Sequence, residues 1–345
     1  MKMPPEANVE RLDAAAFPER EACERLSHWL AAQGVTDSPV RHASRLSGGA
    51  VQENWRLQLD SGDSLVLRTD ADAAIPTSCT RNEEYLRYQL AFRHGARVAQ
   101  PYAFCEDLSV IGKPFFILQF VRGVTAGHVL VKDDKCVPDR ASLVKELGKH
   151  LGVIHSTPHD AVRTVLGNPP ESAVRQAIHH LRLQLDALRS PNPALDLCLR
   201  ELEIRLGNGE QVTFTHGDYR TGNYMVDEGK VSAILDWEFS GWGNPLEDLG
   251  WFTAPCWRFG RRESSAGGIG PIESFLEGYR ESTGIEVKPA QLRDWQALAQ
   301  VKWAVIALHQ EGRHASGAQR SLELALSGRV VAGVALEAMN LLEIR

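Results

Sequence analysis

The segment from Thr213 to Phe239 holds three oxygen-bearing side chains at spacings that suit phosphate chemistry. Asp218 follows an apolar run and a glycine, Asn223 comes five residues later, and Asp236 ends a second apolar run. A carboxylate can take the proton of an attacking hydroxyl, and amide and carboxylate oxygens are ligands that Mg²⁺ favours. These residues predict phosphoryl transfer with Mg²⁺, in which Asp218 is the base and Asn223 and Asp236 hold the metal.

A short hairpin must bring these side chains together. The apolar run Val212–Thr215 predicts a strand that leads into the Asp218 loop. Two further apolar runs, Tyr224–Val226 and Val231–Leu235, are separated by Asp-Glu-Gly-Lys, a turn sequence typical of hairpins. Because loop, hairpin and second loop follow one another directly, we expect all three side chains at one end of a small sheet.

The bulk composition favours a globular protein with more than one lobe. The 345 residues are 43% hydrophobic, which is enough for a sizeable core and for two lobes. The net charge of −6 comes from acidic and basic residues that are mixed along the chain, so no basic face or tail predicts nucleic-acid binding. The six cysteines form no CxxC pair and favour neither a zinc site nor a disulfide framework.

The sequence predicts a cytoplasmic protein that does not enter a membrane. The N-terminal residues lack the apolar region of a secretory signal. The strongest apolar run, Phe115–Val121, is far too short to span a bilayer. A reducing cytoplasm also suits cysteines that show no disulfide pattern.

Hydrophobic periodicity divides the chain into a β-rich part and a helical part. Residues 1–121 contain an N-terminal helix pattern, several alternating strands and one long helix at 80–94. Residues 122–345 are mainly helical, and the hairpin interrupts the helices. Strands and helices do not alternate, and GxGxxG and P-loop motifs are absent, so a doubly wound sheet is disfavoured. The predicted fold is α+β, with a small β-rich N-terminal lobe and a larger helical C-terminal lobe.

A glycine-bearing bend joins two of the predicted N-terminal strands. Ser47, Gly48 and Gly49 lie between the strand patterns, and glycines there could let backbone N–H groups approach a phosphate. A hairpin bend without any ligand explains the same residues and is the commoner case. The bend alone leaves both interpretations open.

Three motifs carry a resemblance to a known family. The residues HGDYRTGN at 216–223 and ILDWE at 234–238, followed by NPLEDLGW at 244–251, resemble the aminoglycoside phosphotransferase family. The fold of that family is similar to the fold of protein kinases. The resemblance extends from about Arg41 to the C-terminal helices. Within the family, the chain looks most similar to the kinase-like domains that are fused to some acyl-CoA dehydrogenases.

The resemblance implies an ATP-dependent kinase that uses Mg²⁺. Asp218 matches the catalytic aspartate of the family, Asn223 matches its metal-binding asparagine, and Asp236 matches its metal-binding aspartate. Gln119 and Val121 match the hinge whose backbone hydrogen bonds recognise adenine. The resemblance therefore assigns the three side chains the same roles that their chemistry predicts.

The resemblance also assigns the residues that contact the nucleotide phosphates. The glycine-bearing bend matches the loop that covers these phosphates. Arg68 stands where most relatives carry a lysine that pairs with ATP phosphates, and a solvated arginine at the end of a strand is the competing interpretation. Glu84, rather than the adjacent Glu83, matches the helix carboxylate that positions this cation.

Some neighbouring residues keep two interpretations. Arg220 could neutralise charge on the transferred phosphoryl group, or it could be a solvated loop residue. Glu238 could bind metal, or it could hold its loop through hydrogen bonds. His216 and Asp248 are expected to brace the catalytic loop, with Asp248 accepting backbone or histidine hydrogen bonds.

The phosphate acceptor is expected to be a small hydroxylated molecule that the sequence does not identify. The segment Trp251–Arg262, expected near the acceptor, is aromatic and basic, whereas polycationic aminoglycosides require carboxylates. This composition favours an anionic or amphiphilic acceptor, such as a hydroxyacyl thioester, over an aminoglycoside or a macrolide. Arg68 in place of lysine supports an alternative, a non-catalytic nucleotide-binding pseudokinase that acts as a sensor or scaffold. The oligomeric state stays open.

Overall fold

The computed structural model describes residues 17–46, 52–71, 79–188, 191–207 and 211–344. The predicted phosphate-loop residues Ser47, Gly48 and Gly49 lie outside the described residues. The chain forms two compact units. Unit 1 contains the chain up to Tyr85 and Gln100–Phe120, and unit 2 contains Leu86–Ala99 and the chain from Val121 onward. The boundary between residues 121 and 122 stays a prediction.

Unit 1 is built around an antiparallel sheet of five strands. The strands are β1 (Val40–Arg45), β2 (Gln52–Leu59), β3 (Ser64–Asp70), β4 (Pro101–Cys105) and β5 (Phe115–Gln119). They lie in the order β1-β2-β3-β5-β4, and each neighbouring pair is antiparallel. The helices that begin in this unit are α1 (Arg20–Ala32), α2 (Arg81–Arg93) and α3 (Leu108–Ile111). The predicted β-rich N-terminal part is confirmed.

The core of unit 1 lies between α1 and one face of the sheet. Leu26 of α1 is fully buried and belongs to one cluster with Leu57 of β2, Leu67 of β3 and Phe115 of β5. Successive side chains of a strand point to opposite faces. Arg68, which follows Leu67, therefore points to the face of the sheet away from this core.

Unit 2 is mainly helical. Its helices are α4 (Gly127–Lys132), α5 (Arg140–His155), α6 (His159–Leu166), α7 (Ala173–Ala187), α8 (Pro193–Leu206), α9 (Pro245–Thr253), α10 (Ile272–Thr283), α11 (Arg293–Ala315), α12 (Leu322–Ser327) and α13 (Val331–Leu341). Its strands are β6 (Thr213–Thr215), β7 (Tyr224–Asp227), β8 (Lys230–Ile234) and β9 (Gly241–Gly243). Apolar side chains of α7, α8, α11 and α13 form one of its core clusters. Helix α11 also packs against α9, which follows the predicted metal-binding segment.

Two short strand pairs carry the loops that hold the predicted chemistry. β7 and β8 form the predicted hairpin, in which Asp227 pairs with Lys230. The two residues between them, Glu228 and Gly229, both have positive φ angles of 49° and 76°, as a type I′ turn requires. The pairing of β6 with β9 was not predicted, because a strand of Gly-Trp-Gly is too short to show alternation.

Short helices and helix ends account for other differences from the sequence prediction. α3, α4 and α6 have four, six and eight residues, and such short segments show little periodicity. Residues 315–326 predict one helix, but α11 continues to Ala315 and α12 begins at Leu322, because Gly317 takes a positive φ of 79° between them. None of the helices built from the described residues has both the length and the apolar character to cross a lipid bilayer.

Candidate active site

The loop that carries Asp218 leaves β6 through a glycine whose geometry excludes a side chain. Gly217 has a φ of 77°, and a Cβ at this position would lie 2.2 Å from the carbonyl oxygen of Phe239. The glycine lets the loop pack directly on the 3-10 turn Trp237–Phe239, which follows Asp236. This close approach sets the position of the Asp218 loop against the segment of Asp236.

Asp248, in the first turn of α9, anchors the same loop. Its Oδ2 accepts the backbone N–H of His216 at 2.7 Å, and its Oδ1 accepts the N–H of Gly217 at 2.9 Å. Its Oδ2 also lies 3.1 Å from Nε2 of His155. Burial by itself would raise the pKa of Asp248, but the hydrogen bond and charge interaction with His155, together with His216, hold this pKa below its usual value. The predicted role of Asp248 as a loop anchor is confirmed.

His216 braces the loop through its ring. Burial lowers the pKa of the imidazole, and this effect outweighs the opposing influence of the Asp248 and Asp218 charges. In the neutral ring, Nδ1 accepts the backbone N–H of Asp218 at 3.2 Å, and Nε2 donates to the carbonyl oxygen of Leu235 at 2.9 Å. The ring therefore ties the Asp218 loop to the chain that follows β8, as the sequence predicted.

The Asp218 carboxylate is nearly buried and receives three side-chain donors. Nδ2 of Asn223 donates to Oδ2 at 2.6 Å, and Nε1 of Trp251 donates to Oδ1 at 2.8 Å. Nε of Arg220 lies 3.1 Å from Oδ1 and 3.2 Å from Oδ2. Two neutral donors and one charged donor therefore fix the orientation of the carboxylate.

Asn223 and Asp236 form the candidate metal site. The N–H of Leu235 donates to the carbonyl oxygen of Asn223 at 2.8 Å, which joins the two backbone segments. Because Nδ2 of Asn223 faces Asp218, its Oδ1 is the amide atom that remains for a cation. Asp236 adopts φ 66° and ψ 66°, a conformation that is uncommon outside glycine and often marks a functional position.

The ligand types at this site fit Mg²⁺. One amide oxygen and one carboxylate suit a cation that keeps several waters and binds few protein groups. Among the described residues, no group of three or more His, Cys, Asp or Glu side chains could hold a metal ion, so a site made only of such side chains is not found there. The metal-binding roles of Asn223 and Asp236 stay predictions.

Arg220 and Glu238, the residues with open roles, are both tied to neighbours. The Arg220 guanidinium pairs with Asp218 and lies 4.7 Å from the centre of the Trp257 ring. Glu238 is buried, and its carbonyl oxygen accepts a hydrogen bond from Nη1 of Arg87 at 2.6 Å. An ion-paired and stacked arginine is not a freely solvated one, but its contact with a phosphoryl group stays a prediction.

Unit 1 contains a buried cluster of charges. Nη2 of Arg68 lies 2.7 Å from Oε1 of Glu84, whose side chain is fully buried, and Nη1 of Arg68 donates to Asn54 at 3.3 Å. Arg81 also pairs with Glu84, and its Nε lies 2.9 Å from Asp70. Sequence analysis missed Arg81, although it stands three residues before Glu84 on a predicted helix and therefore on the same face.

The structure distinguishes the two adjacent glutamates of α2. Glu84 is buried, whereas Glu83 is exposed and accepts the backbone N–H of Thr80 at 2.8 Å. Glu84 is therefore the carboxylate that faces the strand cation. Gln119 is the exposed last residue of β5, and Val121 is half-buried in unit 2. The roles of Gln119 and Val121 in adenine recognition, like those of the phosphate-binding residues, stay predictions.

Sequence analysis missed two contacts that helices make with the catalytic loop. Trp251 was expected near the acceptor or in the core, and its contact with Asp218 was not predicted. Trp251 stands three residues after Asp248, a spacing that places two side chains on one face of a helix, but no helix was predicted there. Lys302 of α11 donates to the carbonyl oxygen of Gly217 at 2.8 Å. A single lysine inside the apolar run VKWAV was the only trace of this contact in the sequence.

Comparisons with known sequences point to one family. The sequence profile of the phosphotransferase enzyme family matches residues 42–301. Acyl-CoA dehydrogenase family member 11 from Mus musculus is 23% identical over 350 aligned positions, which cover 96% of this chain. The chain spans 44% of the length of that relative.

Solved structures share the fold. A structure from Ralstonia eutropha JMP134, assigned to the aminoglycoside phosphotransferases, has a TM-score of 0.74 at 23% identity and covers 93% of this chain and 98% of its own. Spectinomycin phosphotransferase, in complex with ADP and spectinomycin, has a TM-score of 0.60 at 16% identity and covers 92% of this chain and 98% of its own. The α+β, protein-kinase-like fold that the sequence predicted is confirmed.

The family match includes all of the motifs described above. It begins in β1 and ends in α11, and it therefore contains both the charge cluster of unit 1 and the Asp218 loop of unit 2. It covers well over half of the chain. The chain belongs to the phosphotransferase enzyme family.

Proposed function

We propose that this protein transfers the γ-phosphate of ATP to a hydroxyl group of a small molecule. The observation that carries the proposal is the Asp218 carboxylate, held by Asn223 and Trp251 in a loop that Asp248 anchors. A carboxylate oriented in this way can receive the proton of a hydroxyl nucleophile. The kinase-like fold and the family of the chain support this reaction.

In the proposed reaction, the acceptor oxygen forms a bond to the γ-phosphorus as the bond from this phosphorus to the β,γ-bridging oxygen breaks. The hydroxyl proton moves to Asp218, and ADP leaves with the electron pair of the broken bond. The transition state of such transfers is loose, so positioning and charge stabilisation contribute more than early deprotonation. Asp218 therefore acts by orienting the acceptor and by receiving its proton as the new bond forms.

Three other residues near Asp218 would stabilise the negative charge of the phosphates. Oδ1 of Asn223 and the Asp236 carboxylate would hold Mg²⁺, which when bound neutralises phosphate charge. Arg220 would exchange its contact with Asp218 for one with the transferred phosphoryl group, where a guanidinium stabilises developing negative charge.

The nucleotide contacts of unit 1 are proposed from the resemblance and from its charge cluster. Arg68 keeps the positive charge of the usual lysine and adds a planar fork that matches phosphate oxygens. Because Glu84 is shared with Arg81, Arg68 is held in place while its charge is only partly compensated. The glycine-bearing bend would cover the phosphates, and Gln119 and Val121 would recognise adenine.

For the acceptor, we propose an anionic or amphiphilic molecule of the hydroxyacyl thioester type. The segment Trp251–Arg262 is rich in tryptophan and arginine, and Trp257 packs against Trp303 with ring centres 5.0 Å apart. Apolar rings and guanidinium groups suit an acyl chain and an anionic carrier better than a polycation. The relatives named for acyl-CoA dehydrogenases support the same acceptor class.

An acceptor screen tests this function. The protein is incubated with Mg·ATP and one of four acceptors: 3-hydroxyacyl-CoA, the matching acyl-CoA without the hydroxyl, choline or an aminoglycoside. Phosphorus NMR then identifies phosphate esters. We expect an ester only from the hydroxylated thioester, and a loss of product in Asp218→Asn. Product from the aminoglycoside alone would overturn the acceptor class, and undiminished product in Asp218→Asn would overturn the role of the base.

A second candidate function is a nucleotide sensor without catalysis. Two observations favour it: Arg68 replaces the usual lysine, and Arg220 occupies the Asp218 carboxylate. A thermal-shift experiment with Mg·ATP, combined with assays of ATP hydrolysis and transfer, separates the two functions. Stabilisation by nucleotide without hydrolysis or transfer to any acceptor would favour the sensor.

A further inference from the structure

Helix α9 presents two side chains to the Asp218 loop from one face. Asp248 and Trp251 are three residues apart, so the helix places them one above the other. Asp248 accepts the backbone N–H of Gly217, and Trp251 donates its indole N–H to Oδ1 of Asp218 at 2.8 Å. One element therefore sets both the path of the loop and the orientation of its carboxylate.

The Trp251 indole is itself firmly held. Its side chain is only 2% exposed, the Trp257 ring contacts it edge-on with centres 5.1 Å apart, and the Lys302 ammonium lies 4.7 Å from its ring centre. The preceding Gly250 lets α9 approach α11, because a Cβ there would lie 2.6 Å from Cβ of Trp295. The indole is therefore fixed in place, and the Asp218 carboxylate takes the orientation that its N–H group requires.

The other two side-chain donors to Asp218 have further tasks in the proposed reaction, and the task of Arg220 competes with its contact to Asp218. Arg220 is expected to move to the phosphoryl group, and Asn223 is expected to bind the metal. In the part of the chain that the structure describes, the side chains that donate to Oδ1 are those of Trp251 and Arg220. When Arg220 leaves, the indole N–H keeps this oxygen in place.

We propose that Trp251 is a positioning residue that orients the Asp218 carboxylate, an inference that rests on the proposed role of Asp218 as the base. Rotation of a carboxylate about its last torsion has broad energy minima, so an untied group would exchange its two oxygens. A neutral donor on Oδ1 prevents this rotation without cancelling the charge of the carboxylate.

Trp251→Phe tests the proposal, because it removes the donor and keeps an aromatic ring. With Mg·ATP alone and water as the acceptor, we expect kcat for ATP hydrolysis to fall about 10- to 100-fold, the range for a lost hydrogen bond to a charged group. KM for ATP should stay nearly unchanged. The matched control is Trp55→Phe in unit 1, which also removes an indole N–H from a carboxylate, that of Glu53 at 3.3 Å. This control should leave kcat unchanged.

A second measurement needs no enzymatic activity. In ¹⁵N-labelled protein, the Trp251 indole signal is identified by its loss in Trp251→Phe, and we expect it to shift in Asp218→Asn. The side-chain amide signals of Asn223, which bonds the same carboxylate, should move in Trp251→Phe and stay in place in Trp55→Phe. A tryptophan that only filled space would move them by no more than the ring-current change that the loss of an indole causes.

The outcomes separate this inference from the proposed function. Asn223 signals that stay in place in Trp251→Phe overturn the positioning role, whatever the activity. If the Asn223 signals move in Trp251→Phe but kcat for ATP hydrolysis keeps its wild-type value, the positioning role is overturned as well. Signals that move in a protein without ATP hydrolysis or transfer support the orientation of Asp218 by Trp251 and reject the proposed kinase function.

Discussion

Two buried carboxylates, one in each unit, are held by different kinds of donor. Glu84 in unit 1 is fully buried and pairs with two guanidinium groups, those of Arg68 and Arg81. Asp218 in unit 2 is 8% exposed and is held by the neutral donors of Asn223 and Trp251, with Arg220 as a third partner. One carboxylate is surrounded by fixed cations, and the other is oriented mainly by dipoles.

The difference matches the chemistry proposed for each carboxylate. A carboxylate between two cations has its charge cancelled, so it serves to hold those cations in place. A carboxylate held by neutral donors keeps a fixed orientation while its charge remains available to a proton. The same side-chain chemistry thus suits the binding proposed for one unit and the proton transfer proposed for the other.

Asp218→Asn removes the carboxylate and should cause the largest effect on activity. A general base contributes about 10²- to 10⁴-fold, so we expect kcat for phosphoryl transfer to fall by this factor. The measurement is steady-state turnover of Mg·ATP. The affinity for nucleotide should remain close to wild type, whereas the melting temperature should fall because hydrogen bonds to a charged acceptor are lost. A kcat within a factor of two of wild type would contradict the assignment of Asp218.

Glu84→Gln tests the cation-held carboxylate. Without its charge, two buried guanidinium groups lose the carboxylate that they share, which should lower the free energy of unfolding by about 3–5 kcal/mol. Urea unfolding measures the change. Glu83→Gln is the matched control on the same helix, and its free energy of unfolding should change by less than about 1 kcal/mol because Glu83 is exposed. Equal changes in the free energy of unfolding for Glu84→Gln and Glu83→Gln would show that the buried ion pairs of Glu84 add no stability.

Asp248→Asn tests a third carboxylate, which is held by backbone N–H groups. We expect a loss of about 2–3 kcal/mol in the free energy of unfolding near neutral pH, because hydrogen bonds to a charged acceptor are lost. Since the pKa of Asp248 is lowered in the folded protein, its contribution is present above its unfolded pKa of about 3.9 and is lost as pH falls through its lower folded value. Urea unfolding of both proteins from pH 7 to pH 3 should show the difference shrinking. A constant difference across this range would refute the linkage.

Arg220→Gln tests the charged donor at Asp218 and should have the smallest effect. We expect kcat to fall about 10-fold, because a guanidinium that stabilises the phosphoryl group is lost while Trp251 and Asn223 still orient Asp218. Arg220→Lys should keep part of the kcat that Arg220→Gln loses. Lysine retains the positive charge but lacks the planar, forked guanidinium group. An increase of kcat in Arg220→Gln would show that Arg220 only blocks the base.

Much of the catalytic segment could be predicted because its determinants are local. The Glu228-Gly229 turn dictates a two-residue hairpin, and this hairpin carries Asn223 and Asp236 to the same end without help from distant residues. Glu84, which the family resemblance favoured over Glu83, is the buried one of the two, and helical spacing gives the physical reason that only one of them faces the core. Arg81 could have been found by the same reasoning.

The sequence by itself indicated the family and predicted the reaction class, through residue types and short spacings whose geometry a turn or a single helix dictates. Only the tertiary structure decided how the Asp218 carboxylate is oriented. Asp218 meets Trp251, and Gly217 meets Lys302, across long stretches of chain. Such contacts depend on how α9 and α11 pack, and that packing is the sum of many apolar contacts that no local pattern records.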